Sequence, residues 1–211
     1  MCGRYYIEPD EEMLPFIEEA GDSPLAERIA ETTNHMLVTK GEVRPTNVAP
    51  VIATNKIGAQ RAFPMVWGFS LPHRTGTLFN ARVETAATKP TFRDSWHQRR
   101  CAVPASWYFE WEHPIDPATG KKHTGDKYAI RPARSHLTWL AGLYRLEQRN
   151  GMQVPVFTIL TTEPSDSVRF IHDRMPVILP AHAIKEWVRP QSDPTRVLPS
   201  ALTEMRYQRI G

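Results

Sequence analysis

The chain has 211 residues, of which 41% are hydrophobic and 23% charged, values that fit one domain with a buried core and exclude a disordered tract. Its formal net charge of +3 fits a modestly basic enzyme face as well as nucleic-acid binding, and its two cysteines exclude a disulfide scaffold and suit a reducing compartment. No apolar stretch reaches the length of a membrane span and no secretory apolar run follows Met1, so a cytoplasmic protein is expected.

In chain order, the first feature is Cys2, followed by Gly3 and Arg4. Methionine aminopeptidases remove Met1 when a small side chain follows, so Cys2 is the expected mature N-terminus. Thiol and free α-amine would then sit on adjacent carbons, with ordinary pKa values near ~8.5 and ~7.7–8.0, both partly deprotonated near neutral pH. A thiol alone attacks carbonyls. The pair can also condense with an aldehyde to an imine and close a five-membered thiazolidine. A second-position cysteine is equally compatible with chance.

Residues 10–17 read as a capped amphipathic helix shortened by Pro15, and residues 24–33 as a second, exposed one. Strands follow at 51–54 and 61–69, joined by a turn at Lys56-Ile57-Gly58. Residues 100–112 are strand-like, 127–131 and 136–146 form another pair of strands, and 154–162 is an apolar β-branched strand. Pro164 opens a helix through Phe170, and Pro180 sits in the first turn of a helix holding Ile184, Trp187 and Val188. The 19 prolines favour short strands over long helices. No repeat or linker interrupts the chain. The expectation is one α+β domain over 1–211, a mixed, largely antiparallel barrel-like sheet with peripheral short helices.

Three later segments set polar groups where a core would not want them. On a strand, Phe109 and Trp111 share one face while Tyr108 and Glu110 share the other, so Glu110 is a carboxylate among large aromatics, suited to giving or taking a proton. The same period fits an ordinary strand with solvated glutamates. His172 lies between an apolar run and Pro176-Val177-Ile178-Leu179, where a structural histidine fits as well as a catalytic one. Asn80 and Arg82 alternate onto one face, able to grip a sugar-phosphate or simply to meet solvent. No Cys-x-x-Cys or His-x-x-x-His spacing occurs, so no metal and no cofactor is expected.

Taken together, the segments Met1-Cys2-Gly3-Arg4, Asn47-Val48-Ala49-Pro50, Trp67-Gly68, Asn80 to Thr85, Phe92-Arg93, Arg100-Cys101, Phe109-Glu110-Trp111, Ala141-Gly142-Leu143, Thr161-Thr162 and His172 to Pro176 resemble, in this order, the SRAP (SOS response-associated peptidase) family of abasic-site processing proteins. The resemblance implies one β-rich domain binding single-stranded DNA in a basic channel. It also implies a thiazolidine cross-link between processed Cys2 and the aldehyde of an abasic deoxyribose. Carried over by position, Asn80 would orient Cys2 and the opened sugar, Glu110 would act as acid and base, and His172 would protonate the sugar oxygen. Arg4, Asn47, Arg82 and Arg174 would hold flanking phosphates, with Thr161 in the same DNA-binding group. Autopeptidase and lyase activities, a monomer and a place beside the nucleoid are further implications. The chain departs from the family pattern after Trp67-Gly68, where Phe69 to Arg74 lacks a wedging aromatic, and in its tail, which lacks the usual Val-Asn strand. Two other readings stay open: a glutamine amidotransferase with an N-terminal cysteine, although no Asn-Gly-Asp occurs, and a non-covalent reader of modified bases.

Overall fold

Near-continuous apolar runs, such as Val48 to Ala53 and Val154 to Leu160, are the pattern of strands buried on both faces. In the computed structural model, which describes residues 2–71 and 75–210, those runs become the wall of a closed barrel. The elements in order are β1 Arg4–Ile7, α1 Leu14–Gly21, α2 Pro24–Thr33, β2 Gly41–Val43, β3 Val48–Thr54, β4 Gln60–Trp67, β5 Phe69–Ser70, β6 Thr77–Leu78 and β7 Asn80–Arg82. They continue with α3 Val83–Ala86, α4 Pro90–Gln98, β8 Arg100–Ala105, β9 Trp107–Trp111, β10 Lys127–Pro132, β11 Thr138–Arg149 and β12 Met152–Thr162. The chain closes with β13 Met175–Pro176, β14 Ile178–Leu179, α5 Ile184–Trp187, α6 Pro194–Val197 and β15 Met205–Arg209.

Strands β12, β4, β3, β8 and β11 pair in that order, and β11 returns to β12, which closes a five-stranded barrel. Only the β12–β4 contact in this ring is parallel. A second, antiparallel sheet runs β15-β10-β9-β1-β2. The expected single-domain α+β barrel is therefore the observed class.

Two short segments redirect the chain, one along the barrel and one from the barrel to the second sheet. At Gly68, with φ of 114°, β4 leaves β12; the Gly68 N–H donates to Phe157 O at 2.7 Å, and a Cβ there would meet Thr77 at 2.7 Å. Strand β7 then takes the same edge of β12, with Asn80 opposite Ile159 and Arg82 opposite Thr161. At Ser106, between β8 and β9, the backbone N–H donates to Tyr6 O at 2.8 Å while Oγ accepts the Glu8 N–H at 2.9 Å. That is why the single strand expected over 100–112 divides, with β8 in the barrel and β9 in the second sheet.

The core beneath the site is aromatic. Trp67 stacks on Phe157 with centroids 6.0 Å apart, tilts against Tyr5 at 5.2 Å, and donates its indole N–H to Phe79 O at 2.9 Å. Arg100 is 1% exposed. Its guanidinium donates to the carbonyls of Trp96, Trp187 and Ser192 at 2.6, 2.8 and 3.0 Å, so this residue of the Arg100-Cys101 segment ties α4 and α5 to the loop after α5.

Several expectations need correction. The helix expected from Pro164 through Phe170 is absent: residues 166–171 form successive turns, with Val168 N–H to Ser165 O and Ile171 N–H to Val168 O. Strands β10 and β11 do not pair with each other, because β9 and β15 occupy both edges of β10. The tail is thus a strand, without the family's Val-Asn pattern. The first helix begins at Leu14, after a turn in which Asp10 Oδ1 accepts the Met13 N–H at 2.9 Å, and takes Pro15 into its first turn. Pro180 precedes a 3-10 turn, Ala181–Ala183, rather than opening α5 directly. Helix α4, unforeseen, buries Phe92 and Trp96 one turn apart behind Pro90. Among the described residues no helix is long and apolar enough to cross a membrane.

Candidate active site around Cys2

Strands β1 and β9 are antiparallel neighbours, with Arg4 opposite Phe109 and Tyr5 opposite Tyr108. Continuing that register, the chain ahead of β1 runs alongside Glu110 and Trp111. Cys2 is fully buried there, its Sγ 3.8 Å from the Arg4 carbonyl. Burial pushes its thiol far above the ordinary cysteine value, and the Glu110 carboxylate adds to the shift. Burial likewise raises the hydroxyls of Tyr5 and Tyr108, with Cys2 contributing. In the chain that keeps Met1, burial therefore favours the protonated thiol, whereas the partly ionised pair expected from the sequence belongs to the chain that begins at Cys2.

Glu110 is 4% exposed and shares the inward face of β9 with Tyr108, as the strand period requires. Phe109 on the other face is also covered, by Lys127, whose Nζ stands 3.9 Å from its ring centroid.

His172 reaches Glu110 from the loop before β13. Its ring meets His113 edge to face, centroids 5.3 Å apart. Burial lowers the His172 pKa below the ordinary imidazole value, and His113 works in the same direction, against the opposing pull of Glu110 and Asp173. Nδ1 stands 3.0 Å from the Arg174 amide nitrogen and 2.8 Å from Asp173 Oδ1. Protonated, Nδ1 donates to Asp173; unprotonated, it accepts the Arg174 N–H.

Glu110, His113 and His172 each offer one donor atom, all within 4.8 Å of one another. Two imidazoles and a carboxylate at this spacing could hold a divalent transition metal. Sequence spacing missed the trio because Glu110 and His113 stand at a strand end while His172 arrives from a distant loop.

Asn80 opens β7. Its Nδ2 donates to Ile159 O at 3.5 Å, while its buried Oδ1 meets no donor among the described residues. A buried amide oxygen without a donor is costly and marks a place for a ligand N–H or O–H.

The expected phosphate contacts fall into two groups around acidic anchors. Glu84 receives two hydrogen bonds from Arg174, at 2.9 and 2.8 Å, and Arg174 also donates to Thr161 O at 2.7 Å. These bonds hold the Glu84 carboxyl below the usual range. Thr161 is buried, its hydroxyl 3.5 Å from Ala81 O, so its backbone rather than its side chain joins this group. Arg82, opposite Thr161, is exposed. Across the site, Glu42 gathers Arg4 at 3.0 Å, Arg44 at 2.7 Å and Lys127 at 3.0 Å. Asn47 braces that group, its Oδ1 accepting the Arg44 N–H at 2.9 Å. Sequence reasoning missed Glu42, Arg44, Lys127 and His113, none of which carries a local spacing signal. Met1 and the loop residues Pro72, His73 and Arg74 lie outside the described residues.

Residues 1–210 match the family described as SOS response associated peptidase (SRAP). The abasic site processing protein YoaM of Bacillus subtilis (strain 168) is 36% identical over 174 residues, spanning 77% of this chain and 74% of that relative. The abasic site processing protein YedK of Escherichia coli (strain K12) is 32% identical over 130 residues, 60% of this chain and 54% of the relative. A crystal structure of a protein from Bacteroides thetaiotaomicron shares the fold, with a TM-score of 0.73 at 21% identity over 100% of this chain and 92% of that one.

Proposed function

The chain belongs to the SRAP family, and on that premise we propose that it processes abasic sites in DNA by covalent capture on Cys2. The observation that carries this reading is the placement of the fully buried Cys2 in the field of the Glu110 carboxylate, which His172 also faces. With Met1 removed, the Cys2 amine adds to C1′ of the ring-opened abasic sugar and the carbinolamine loses water to give an imine. The thiol then adds across C=N: sulfur bonds carbon and the thiol proton ends on nitrogen. One water is lost overall and the product is a thiazolidine.

The buried thiol cannot ionise unaided, so its proton must be taken as the S–C bond forms. Glu110 is the group coupled to Cys2, and it takes this role. His172, held neutral by burial, acts first as a base: with Nδ1–H on Asp173, Nε2 takes the C1′ hydroxyl proton of the closed sugar and returns it to the ring oxygen as the bond from C1′ to that oxygen breaks. Asn80 supplies its Oδ1, which meets no donor among the described residues, to the Cys2 amine or a sugar hydroxyl. Arg4, Asn47, Arg82, Arg174 and the backbone at Thr161 line the path of a single strand. We read the whole chain as one such domain acting as a cytoplasmic monomer. Autoproteolysis ahead of Cys2 and strand cleavage by β-elimination would use the same three groups.

The test is incubation of protein lacking Met1 with single-stranded DNA carrying one abasic site. A denaturation-resistant adduct is expected from the parent chain and none from Cys2→Ala. A stable adduct of full yield from Cys2→Ala would overturn the reading.

A further inference from the structure

Strand alternation gives the second sheet an outward face on which Tyr6, Trp107, Phe109, Ala129, Arg131 and Arg206 line a groove of about 500 Å3. Tyr6 and Trp107 lie cross-strand and stack, centroids 4.6 Å apart and planes within 6°. Phe109 meets both edge-on, at 6.3 and 6.5 Å.

Arg131 and Arg206 are directly opposed in the β10–β15 register. Like charges at such a pair repel, and Arg206 lowers the pKa of Arg131 after burial has done so. Neither guanidinium meets a carboxylate, or any other acceptor, among the described residues. By contrast, Arg4 and Lys127 on the same face converge on Glu42. Two uncompensated guanidiniums beside stacked rings are complementary to an anion attached to a flat, apolar group. The aromatic row also runs on along β9 to Trp111, under Arg4 at 5.0 Å, toward the Cys2 site. Tyr6 is four residues beyond Cys2, roughly 13 Å along an extended strand. That is too far for the lesion itself and suited to nucleotides flanking it.

We propose that this face is a second single-strand subsite, in which Arg131 and Arg206 clamp one backbone phosphate of the flanking strand while a neighbouring base stacks on Tyr6 and Trp107. The assignment rests on the reading above only in taking the strand to be the one that carries the lesion. It asks nothing of the chemistry at Cys2, and its residues are outside the covalent machinery.

The experiment measures equilibrium binding of undamaged single-stranded DNA across a salt series, and separately adduct formation on abasic DNA. The proteins are the parent chain, Arg131→Gln/Arg206→Gln and Trp107→Ala, with Trp107→Phe to retain a ring if the alanine variant folds poorly. Loss of one clamped phosphate lowers the salt slope by about 0.7. Loss of the stacking ring weakens binding by about tenfold, and Trp107→Phe restores most of it. Adduct formation on a strand trimmed to the lesion and its immediate neighbours should be unchanged in all variants. Equal affinity and slope in parent and double variant would overturn the subsite, as would loss of self-association alone, which would assign the face to a second copy of the chain. If the DNA effects appear while the parent chain forms no abasic adduct, the subsite stands and the covalent reading falls.

Discussion

The rings of His113 and His172 meet edge to face at 5.3 Å, with planes at 74°, so a histidine that has no role in the proposed chemistry shapes the charge of one that does. Burial is the first cause of the lowered His172 pKa and His113 adds to it. A depressed imidazole favours the folded state while both folded and unfolded forms are neutral. That stability is present above the unfolded value of about 6.5 and is lost as pH falls through the folded pKa. Ring-nitrogen NMR should therefore show His172 titrating below the ordinary value, and His113→Ala should move it upward. A His172 titration at or above about 6.5 in the parent chain would contradict this.

The buried Cys2 thiol makes an opposite, alkaline prediction. Burial is the larger cause and Glu110 the second, so Glu110→Gln should lower the thiol pKa and move the pH midpoint of its alkylation downward. In the parent chain, stability from Cys2 and the equally buried Cys101 is present below about 8.5 and is lost as pH rises beyond it, since only the unfolded thiols ionise. Unchanged alkylation in Glu110→Gln would remove Glu110 from the neighbourhood of the sulfur.

Arg100 carries a stability prediction. Replacing it by Leu leaves the Trp96, Trp187 and Ser192 carbonyls without their donor, at about 1–3 kcal/mol for each buried group left unsatisfied. Urea unfolding of Arg100→Leu should show a loss of at least about 3 kcal/mol, with Arg100→Lys recovering little because an ammonium cannot span three carbonyls. A loss under about 1 kcal/mol would mean that the carbonyls find other partners.

Two hydrogen bonds tie Arg174 to Glu84, whose carboxylate offsets the charge Arg174 can offer a phosphate. Glu84→Gln weakens that tie, so single-strand affinity should rise several-fold and the salt slope steepen by up to about 0.7. Weaker binding in Glu84→Gln would show that the ion pair positions Arg174 for DNA rather than competing with it.

How far the sequence carried can be judged residue by residue. The barrel class was legible, because β-branched runs are local signals, and alternation put Glu110 on the face of Tyr108 without telling whether that face met core or solvent. Ser106 hid the break between β8 and β9, since its role depends on Tyr6 and Glu8, about a hundred positions away. Residues 164–170 looked helical from a proline start, yet the bonds there close separate turns. At the site, Cys2, Glu110 and His172 stood out from their neighbours and took their roles from the family resemblance, while their electrostatics were not legible. The raised thiol and the lowered imidazole come from burial between strands that only the fold assembles. Glu42 and His113 escaped for the same reason.

The most direct test of covalent capture is the intact mass of the product formed by the Met1-free chain and a single-stranded oligonucleotide with one abasic site. The account predicts the sum of the two masses less one water, stable without reductant, and absent from Cys2→Ala. For Cys2→Ser it predicts an adduct that persists only after borohydride reduction, because an imine forms without a stable sulfur-closed ring. A reductant-independent adduct of that mass in Cys2→Ala, or attachment mapped to a lysine in the parent chain, would contradict it.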